Sequence, residues 1–194
     1  MDWRDEDNSN GLEVTVAEML VATADEADYL IDGSVSEVLK LLRDRMKMDV
    51  VFVSELTGGE RILRCVDQAP GHEVVSEGQT VSAEETWCQR VVDGRRPEFI
   101  PNGTQVQQQG LAPKMPFPVG TYLGTPIVMS SGEVYGTLCC FSFGTNPQVT
   151  EQDVKKLRYT AQLTAQKIER SRLRKTEVEL ELKPLEPTGF TGRL

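Results

Sequence analysis

The chain has 194 residues, enough for one domain of about 150 residues with extensions. Its 39% hydrophobic and 26% charged residues are typical of a globular protein and exclude a disordered or fibrous one. No apolar run approaches the roughly 20 residues that a membrane helix needs, and the first residues are acidic, so we expect a cytoplasmic protein without membrane contact.

The formal net charge of -9 is concentrated at the start of the chain. Residues 1–33 hold ten of the 30 acidic residues and one of the 21 basic residues, so the remainder is neutral overall. A neutral body lacks the basic face that nucleic acid requires, and we predict no nucleic-acid partner. The basic residues between Lys155 and Lys175 are expected to lie on a solvated helix face.

The first part of the chain is predicted to hold an acidic leader and two helices. Residues 1–14 are polar and are expected to be mobile, and residues 15–33 show helical periodicity that Gly33 is expected to end. A second helix is predicted from Ser34, the N-cap of a capping box with Glu37. Its buried face is expected to comprise Val35, Val38, Leu39, Leu42 and Met46.

A β-hairpin is predicted next. Two apolar runs flank Gly58 and Gly59 in DVVFVSELTGGERILRCVDQ, a pattern typical of two strands joined by a tight turn. Strict alternation in the second run sets Leu63 and Cys65 on one face of the sheet. A short helix is then predicted in ETWCQRVVDG, where Gly94 is expected to end it.

The middle of the chain combines a short strand with a long loop. The strand is predicted in RPEFIPNG, bounded by Pro97 and Pro101. Residues 102–119 follow neither the helical nor the strand period and are predicted as an irregular loop. Loops of this length usually have a function or are disordered.

A second hairpin follows, with strands predicted in TYLGTPIVM and VYGTLCCFSF and a tight connection in SSGE. Successive side chains of a strand point to opposite faces, so Cys139 and Cys140 are not expected to pair with each other. Gly124 and Gly136 lie inside these strands, where glycine indicates a bulge or the close approach of another backbone or a ligand.

A long helix is predicted to begin after its N-cap, Thr150, with Asp153 at the third helical position. Its end is ambiguous, because the helical pattern could continue toward residue 182 while EVELELK alternates with period two. The buried side is expected to comprise Val154, Leu157, Ala161, Ala165 and Ile168.

This order of elements predicts an α+β fold with one antiparallel sheet. The segments MDVVFVSEL, ETWCQRVVDGRRPEFIPN, YLGTPIVMSSGEVYGTLCCFS and TEQDVKKLRYTAQLTAQKIE resemble bacterial GAF domains. They resemble in particular the GAF domains N-terminal to GGDEF and EAL domains in cyclic di-GMP signalling proteins. The resemblance covers roughly residues 34–170 and leaves 171–194 as the end of a signalling helix and a linker or tail.

The resemblance implies a GAF/PAS-like sheet with the N- and C-terminal helices on one face and a pocket helix and loop on the other. It implies a non-enzymatic sensory module that binds an unidentified small molecule, with no cofactor named, and forms a homodimer through its terminal helices. An output domain, fused or separate, would receive the signal. The family's pocket helix matches Thr86–Val92, its next segment matches Phe99–Asn102, and the loop Gln105–Val119 would be the lid.

Six residues are predicted to bind the ligand if the sheet faces fall as expected. Aromatic side chains with one polar atom suit the wall of such a cavity, although the same residues could simply form a core. A third alternative is a scaffold whose pocket has closed and whose only role is dimerisation. The six residues are Phe52, Trp87, Cys88, Tyr122, Thr137 and Cys139.

Cys88 has three interpretations: packing, a thiol redox sensor, or an enzyme similar to the free methionine-R-sulfoxide reductases, which are also GAF proteins. Those reductases have GVCG where this chain has TWCQ, and their second cysteine falls in the segment written here LAPKMPFP, which has none. Bilin attachment usually needs a Cys-His pair, which the chain lacks, and His72 is expected in a surface turn. No cysteine spacing indicates a metal site, and we predict none.

Overall fold

A single six-stranded antiparallel sheet organises the computed structural model, which describes residues 33–181. The strand order is β3-β2-β1-β6-β5-β4, with helices on both faces, so the predicted α+β class is confirmed. The predicted leader 1–14, residues 15–32 of the first predicted helix, and the tail from residue 182 lie outside the described residues.

The helices are α1 (Gly33–Met46), α2 (Trp87–Val92), α3 (Gly103–Gln108) and α4 (Glu151–Glu181), and a 3₁₀ turn covers Ala83–Glu85. The strands are β1 (Val50–Thr57), β2 (Glu60–Gln68), β3 (Thr80–Ser82), β4 (Phe99–Ile100), β5 (Tyr122–Val128) and β6 (Val134–Phe141). Within residues 33–181, no helix is long and apolar enough to cross a bilayer.

Helices α1 and α4 cover one face of the sheet, and their apolar stripes form the helix-side core with alternate residues of the strands. Both stripes contain the residues that the 3.6-residue period predicts, from Val35 to Met46 and from Val154 to Ile168, and all are buried. The opposite sheet face carries a second apolar group, the pocket-side cluster, which includes Phe52, Trp87 and Tyr122. The predicted division of the helices between the two faces is therefore confirmed.

The ends of α1 and α4 test the predicted caps. The structure assigns both Gly33 and Ser34 to α1, whose first described residue is Gly33, so the predictions that Gly33 ends a preceding helix and that Ser34 caps α1 are not confirmed. Helix α4 begins at Glu151, directly after Thr150, so the predicted cap position is confirmed, and Asp153 Oδ2 accepts the backbone N–H of Thr150 at 2.9 Å. The helix continues to Glu181, which resolves its ambiguous end.

The first hairpin contains a bulge that alternation did not predict. Gly58 and Gly59 both have positive φ (58° and 81°), as the tight turn requires. Val53 pairs with Cys65 but Ser54 pairs with Leu63, so one residue of β2 is left over between the pairs. Leu63 consequently joins the pocket-side cluster while Cys65 joins the helix-side core, and the prediction that they share a face is wrong.

The predicted loop 102–119 contains a helix in its first part, so that prediction is also wrong. Asn102 caps α3, its side chain accepting the N–H of Gln105 at 3.1 Å. This six-residue helix is set by its cap and buries only Gly103 fully, so it has no apolar stripe for a period search to detect. The irregular part is residues 109–119.

Both strand glycines lie where another group approaches closely, and at Gly136 that group is a backbone, as predicted, whereas at Gly124 it is a pair of side chains. At Gly136 that group is the backbone of β1, since a Cβ would overlap the carbonyl oxygen of Ser54. At Gly124 a Cβ would lie 3.0 Å from Cys139 Sγ. The central pairing of β1 with β6 therefore depends on the absence of a side chain at position 136.

We predict that Gly136→Ala lowers the free energy of unfolding by about 1–3 kcal/mol or more, because the neighbour that must move is backbone. Urea unfolding of the full chain measures the change. Gly144→Ala is the control, since nothing lies within 4 Å of the place that its Cβ would occupy, and its stability is expected to stay close to that of the parent chain. Equal stability of both variants would contradict the close-approach argument.

Candidate ligand pocket

A cavity of about 460 Å³, called the pocket below, lies on the sheet face opposite α1 and α4. The sheet forms its floor, α2 forms one wall, and residues 113–119 extend over it. Its volume falls in the range of small-molecule sites, about 300–1,000 Å³. Most of its lining is apolar or aromatic, including Phe52, Val75, Trp87, Phe117, Tyr122 and Phe141.

The wall helix α2 is positioned by its cap. The Thr86 side chain accepts the backbone N–H of Gln89 at 3.2 Å and donates to the carbonyl of Ala83 at 2.6 Å, so it joins the 3₁₀ turn to the helix. Gly94, with φ of 73°, ends the segment as predicted. The inward-facing side chains of α2 are Trp87, Cys88 and Val91, all buried.

Residues 109–119 are fastened over the pocket by hydrogen bonds and ring stacking. Trp87 Nε1 and Gln107 Nε2 both donate to the carbonyl oxygen of Pro113, each at 3.1 Å. The Phe117 ring stacks on Phe141 with centroids 5.4 Å apart and an interplanar angle of 4°. The segment predicted as a lid thus contacts both the wall helix and the floor of the pocket.

The structure brings the six predicted ligand-binding residues together in two layers. Phe52, Trp87, Cys88 and Tyr122 line the pocket, and the Trp87 and Tyr122 rings contact each other at 5.1 Å between centroids. Thr137 and Cys139 do not line it and lie fully buried beneath this layer. Ligand contact by any of the six stays a prediction.

The lower layer is a chain of buried polar groups. Cys88 Sγ lies 3.8 Å from Cys139 Sγ, and the Tyr122 hydroxyl lies 3.1 Å from the same Cys139 sulfur. The Cys139 thiol donates to Thr137 Oγ1 at 3.2 Å, and Thr137 Oγ1 lies 2.8 Å from Ser54 Oγ. These contacts give each buried hydroxyl and thiol a partner, as buried polar groups require.

The thiols of this layer differ in how readily they ionise. Hydrogen bonding with Cys139 lowers the pKa of Cys88 despite its burial, and the positive charge of Arg61 acts in the same direction. Burial raises the pKa of Cys139, and it raises that of Cys65, on the other sheet face, to about 11. Of these three cysteines, Cys88 is therefore the one whose surroundings favour the thiolate, the form that reacts.

Arg61 is the charged residue that sequence reasoning missed. It lines the pocket with only 5% of its surface exposed, and its guanidinium carbon lies 6.0 Å from the centre of the Phe52 ring. In the sequence, Arg61 lies two residues after the Gly58-Gly59 turn, where a charged side chain is expected to be exposed to solvent. Its separation of two residues from the apolar Leu63 was the available indication that both side chains share a face.

The only histidine lies away from the pocket lining. His72 follows a turn and is partly exposed, with its Nδ1 atom 3.0 Å from Asp49 Oδ1 and its ring edge-on to Phe143. The described part of the chain contains no group of three or more His, Cys, Asp or Glu residues suited to a metal ion.

Comparison with known proteins identifies the family. The profile of the GAF domain family matches residues 31–169. The chain belongs to the GAF family. GAF domains are sensory and regulatory units of many signalling proteins, they bind small molecules, and they often form part of multidomain proteins. No curated protein matches the chain at a significant level.

Solved structures agree with this GAF assignment. The GAF domain of an Acinetobacter phosphoenolpyruvate-protein phosphotransferase is 16% identical, with a TM-score of 0.63, covering 90% of this chain and 98% of that one. The phycocyanobilin-bound GAF domain of a cyanobacterial phytochrome is 13% identical, with a TM-score of 0.65, covering 84% and 96%.

A third similar structure is the fRMsr of Staphylococcus aureus in complex with substrate. It is 16% identical, with a TM-score of 0.62, and the match covers 83% of this chain and 95% of that one. At these identities the three likenesses establish the GAF fold alone. What this GAF domain binds must be argued from its own pocket.

Proposed function

We propose that this GAF domain is a non-enzymatic sensory module that binds a small molecule in the pocket and signals through paired terminal helices. The observation that carries the proposal is the pocket itself, a 460 Å³ cavity with aromatic walls beneath a fastened segment. Such a volume disfavours the alternative of a scaffold whose pocket has closed. Apolar walls with a few polar groups are typical of small-molecule sites.

Strand β5 offers a direct route from the pocket to α4. Tyr122 lines the pocket, while the next residue, Leu123, points to the opposite face and packs in the helix-side core. Helix α4 packs on β5. A ligand that displaces Tyr122 therefore strains the strand on which the signalling helix rests.

The end of α4 supports the proposed homodimer. Beyond Ile168 the helix carries exposed apolar residues, with Leu173 65% and Leu180 67% exposed. These two leucines are seven residues apart, and so lie on one side of the helix, as in the seam of a coiled coil. A second copy of α4 would cover this stripe.

The output remains a proposal from the sequence resemblance. We propose a bacterial, cytoplasmic protein whose signal reaches a cyclic di-GMP output domain of the GGDEF or EAL type, fused or separate. The four cysteines are unpaired and buried, which supports a reducing compartment.

We predict that Val81→Trp, which places an indole ring at a residue that lines the pocket, abolishes small-molecule binding. The measurement is native mass spectrometry of the full chain after incubation with a small-molecule cell extract, with an absorption spectrum of the same sample. The unmodified chain is expected to gain one stoichiometric mass. At 100 times its dissociation constant the identified compound is expected to stabilise the chain by about 2.7 kcal/mol.

Val128→Trp is the matched control, because Val128 is exposed and does not line the pocket. It should bind as the unmodified chain does. The same bound masses in all three proteins, or none in any of them, would count against the pocket as the sensory site.

We predict that the double variant Leu173→Glu, Leu180→Glu raises the dissociation constant of the dimer by about a hundredfold or more, since burial of each leucine contributes about 2 kcal/mol. Light scattering over a concentration series measures it. Val128→Glu introduces a single glutamate at an exposed position of the sheet and should leave the dimer intact. A double variant that remains dimeric would show that the dimer interface is not the stripe of α4 that contains Leu173 and Leu180.

A thiol redox switch is the second candidate function, and the contact between Cys88 and Cys139 favours it. Their sulfur atoms are 3.8 Å apart, so a modest shift joins them. A peroxide would oxidise Cys88 to a sulfenic acid with release of water, and the Cys139 thiol would displace a second water to form the disulfide. The third interpretation of Cys88, an enzyme similar to the free methionine-R-sulfoxide reductases, has less support. Residues 109–119 contain no cysteine that could serve as the second cysteine of those enzymes.

We predict that hydrogen peroxide yields one peptide in which Cys88 and Cys139 are linked, identified by mass spectrometry after digestion. Cys139→Ser should instead leave Cys88 as a sulfenic acid that dimedone traps. Cys140→Ser is the control, because Cys140 points to the other sheet face and should not affect the link. A Cys88 that stays reduced in excess peroxide would exclude the switch.

A further inference from the structure

We propose that the pocket is an anion site, in which the carboxylate, sulfonate or phosphate group of a ligand with a planar apolar body pairs with Arg61. This inference rests on the proposed function of the pocket and names the class of ligand that it takes. The observation behind it is a buried arginine on the cavity wall whose Nε atom has no hydrogen-bond partner and which forms no ion pair with any carboxylate of residues 33–181.

Arg61 is buried together with its charge. Its side chain extends from β2 to the pocket lining, and its Nε atom is shielded from solvent without a hydrogen-bond partner. Among the described residues, no carboxylate forms an ion pair with Arg61, and its guanidinium contacts the ring of Phe52 instead. A guanidinium stays protonated in proteins, so it cannot escape this cost by losing its proton.

Several other arginines of the chain differ from Arg61 in having a carboxylate partner. Arg43, Arg64, Arg95 and Arg158 each form an ion pair with an aspartate or glutamate. Arg90 also has a buried Nε without a partner, but its side chain is only half-buried and does not line the pocket. Arg61 alone among these arginines combines nearly complete burial with a position on the pocket wall.

A buried charge without a partner is unfavourable, and a ring contact at 6.0 Å compensates only part of the loss of hydration. The planar fork of N–H donors matches the paired oxygens of a carboxylate, sulfonate or phosphate. An anion in the pocket would accept hydrogen bonds from those donors. Its binding would therefore offset the unfavourable free energy of burying the guanidinium without a partner.

The remaining charges of the pocket do not replace such a ligand. Lys114 and Glu85 also line it, but both are exposed at its rim and opposite in sign. The ring of Phe52 lies beside Arg61, and the rings of Trp87 and Tyr122 lie elsewhere on the same lining. A ligand with an anionic group on a flat apolar body would pair with the Arg61 charge and pack against the aromatic side chains of the lining.

The experiment uses two compounds of nearly the same shape, 1-naphthalenesulfonate and 1-naphthalenesulfonamide, of which only the first is charged. Each is titrated against the full chain loaded with N-phenyl-1-naphthylamine, an uncharged dye that fluoresces in apolar pockets. The sulfonate is expected to displace the dye about tenfold more strongly than the sulfonamide, the ratio expected for one added charge-assisted hydrogen bond.

Arg61→Met keeps an apolar stem of similar length and should abolish the preference for the sulfonate. Arg64→Met is the matched control, because it removes the same charge from the same strand at a residue paired with Glu55 outside the pocket. It should keep the preference. Equal displacement by both compounds in the unmodified chain, or a preference that survives Arg61→Met, would overturn the anion site.

The dye separates failure of this inference from failure of the proposed function. Dye that binds one to one and is lost in Val81→Trp, with no sulfonate preference, would leave the pocket standing and overturn the anion site alone. Dye that does not bind, or binds Val81→Trp equally, would overturn both.

Thermal unfolding without any compound gives a second readout. Arg61→Met is expected to melt at or above the temperature of the unmodified chain, because the variant no longer buries an unpaired charge. A clear loss of thermal stability, together with an unchanged sulfonate preference in the unmodified chain and the variant, would assign Arg61 a purely structural role and overturn the proposal.

Discussion

The antiparallel pairing of β1 with β6 at the centre of the sheet is the constraint on which both faces of the molecule depend. It aligns Phe52 with Cys139 and Val53 with Leu138, so one side of each strand supplies the pocket and the other supplies the helix-side core. The pairing needs a glycine at position 136, where the Ser54 backbone leaves no room for a side chain. A change of register by one residue would exchange the two faces.

The sequence predicts those features of the fold that depend on residues close together in the chain, and it misses those that depend on a distant partner strand. The stripes of α1 and α4, the Gly58-Gly59 turn and the cap at Thr150 are local patterns, and each is found where it was predicted. The bulge in β2 is not local. It is fixed by the partner strand, so alternation along β2 alone assigned Leu63 and Cys65 to the same face.

The candidate site was predictable to a similar extent. The chemistry of aromatic side chains and the resemblance of Thr86–Val92 to the family's pocket helix predicted one cavity, and Phe52, Trp87, Cys88 and Tyr122 line it. Thr137 and Cys139 share that face of the sheet but lie fully buried beneath the pocket lining. The alternation of side chains along a strand predicts the face of a residue but not its depth below the surface. Arg61 was missed because an isolated sequence does not show which arginines lack a carboxylate partner.

Arg61 also links the two candidate functions of the pocket. Hydrogen bonding with Cys139 is the larger cause that lowers the pKa of Cys88, and the Arg61 charge adds to it. An anion in the proposed site would offset that charge, so its binding would raise the pKa of Cys88 and reduce the thiolate fraction. By linkage, a thiolate at Cys88 would weaken anion binding to the same extent. If both proposals hold, ligand occupancy and thiol oxidation oppose each other through one buried guanidinium.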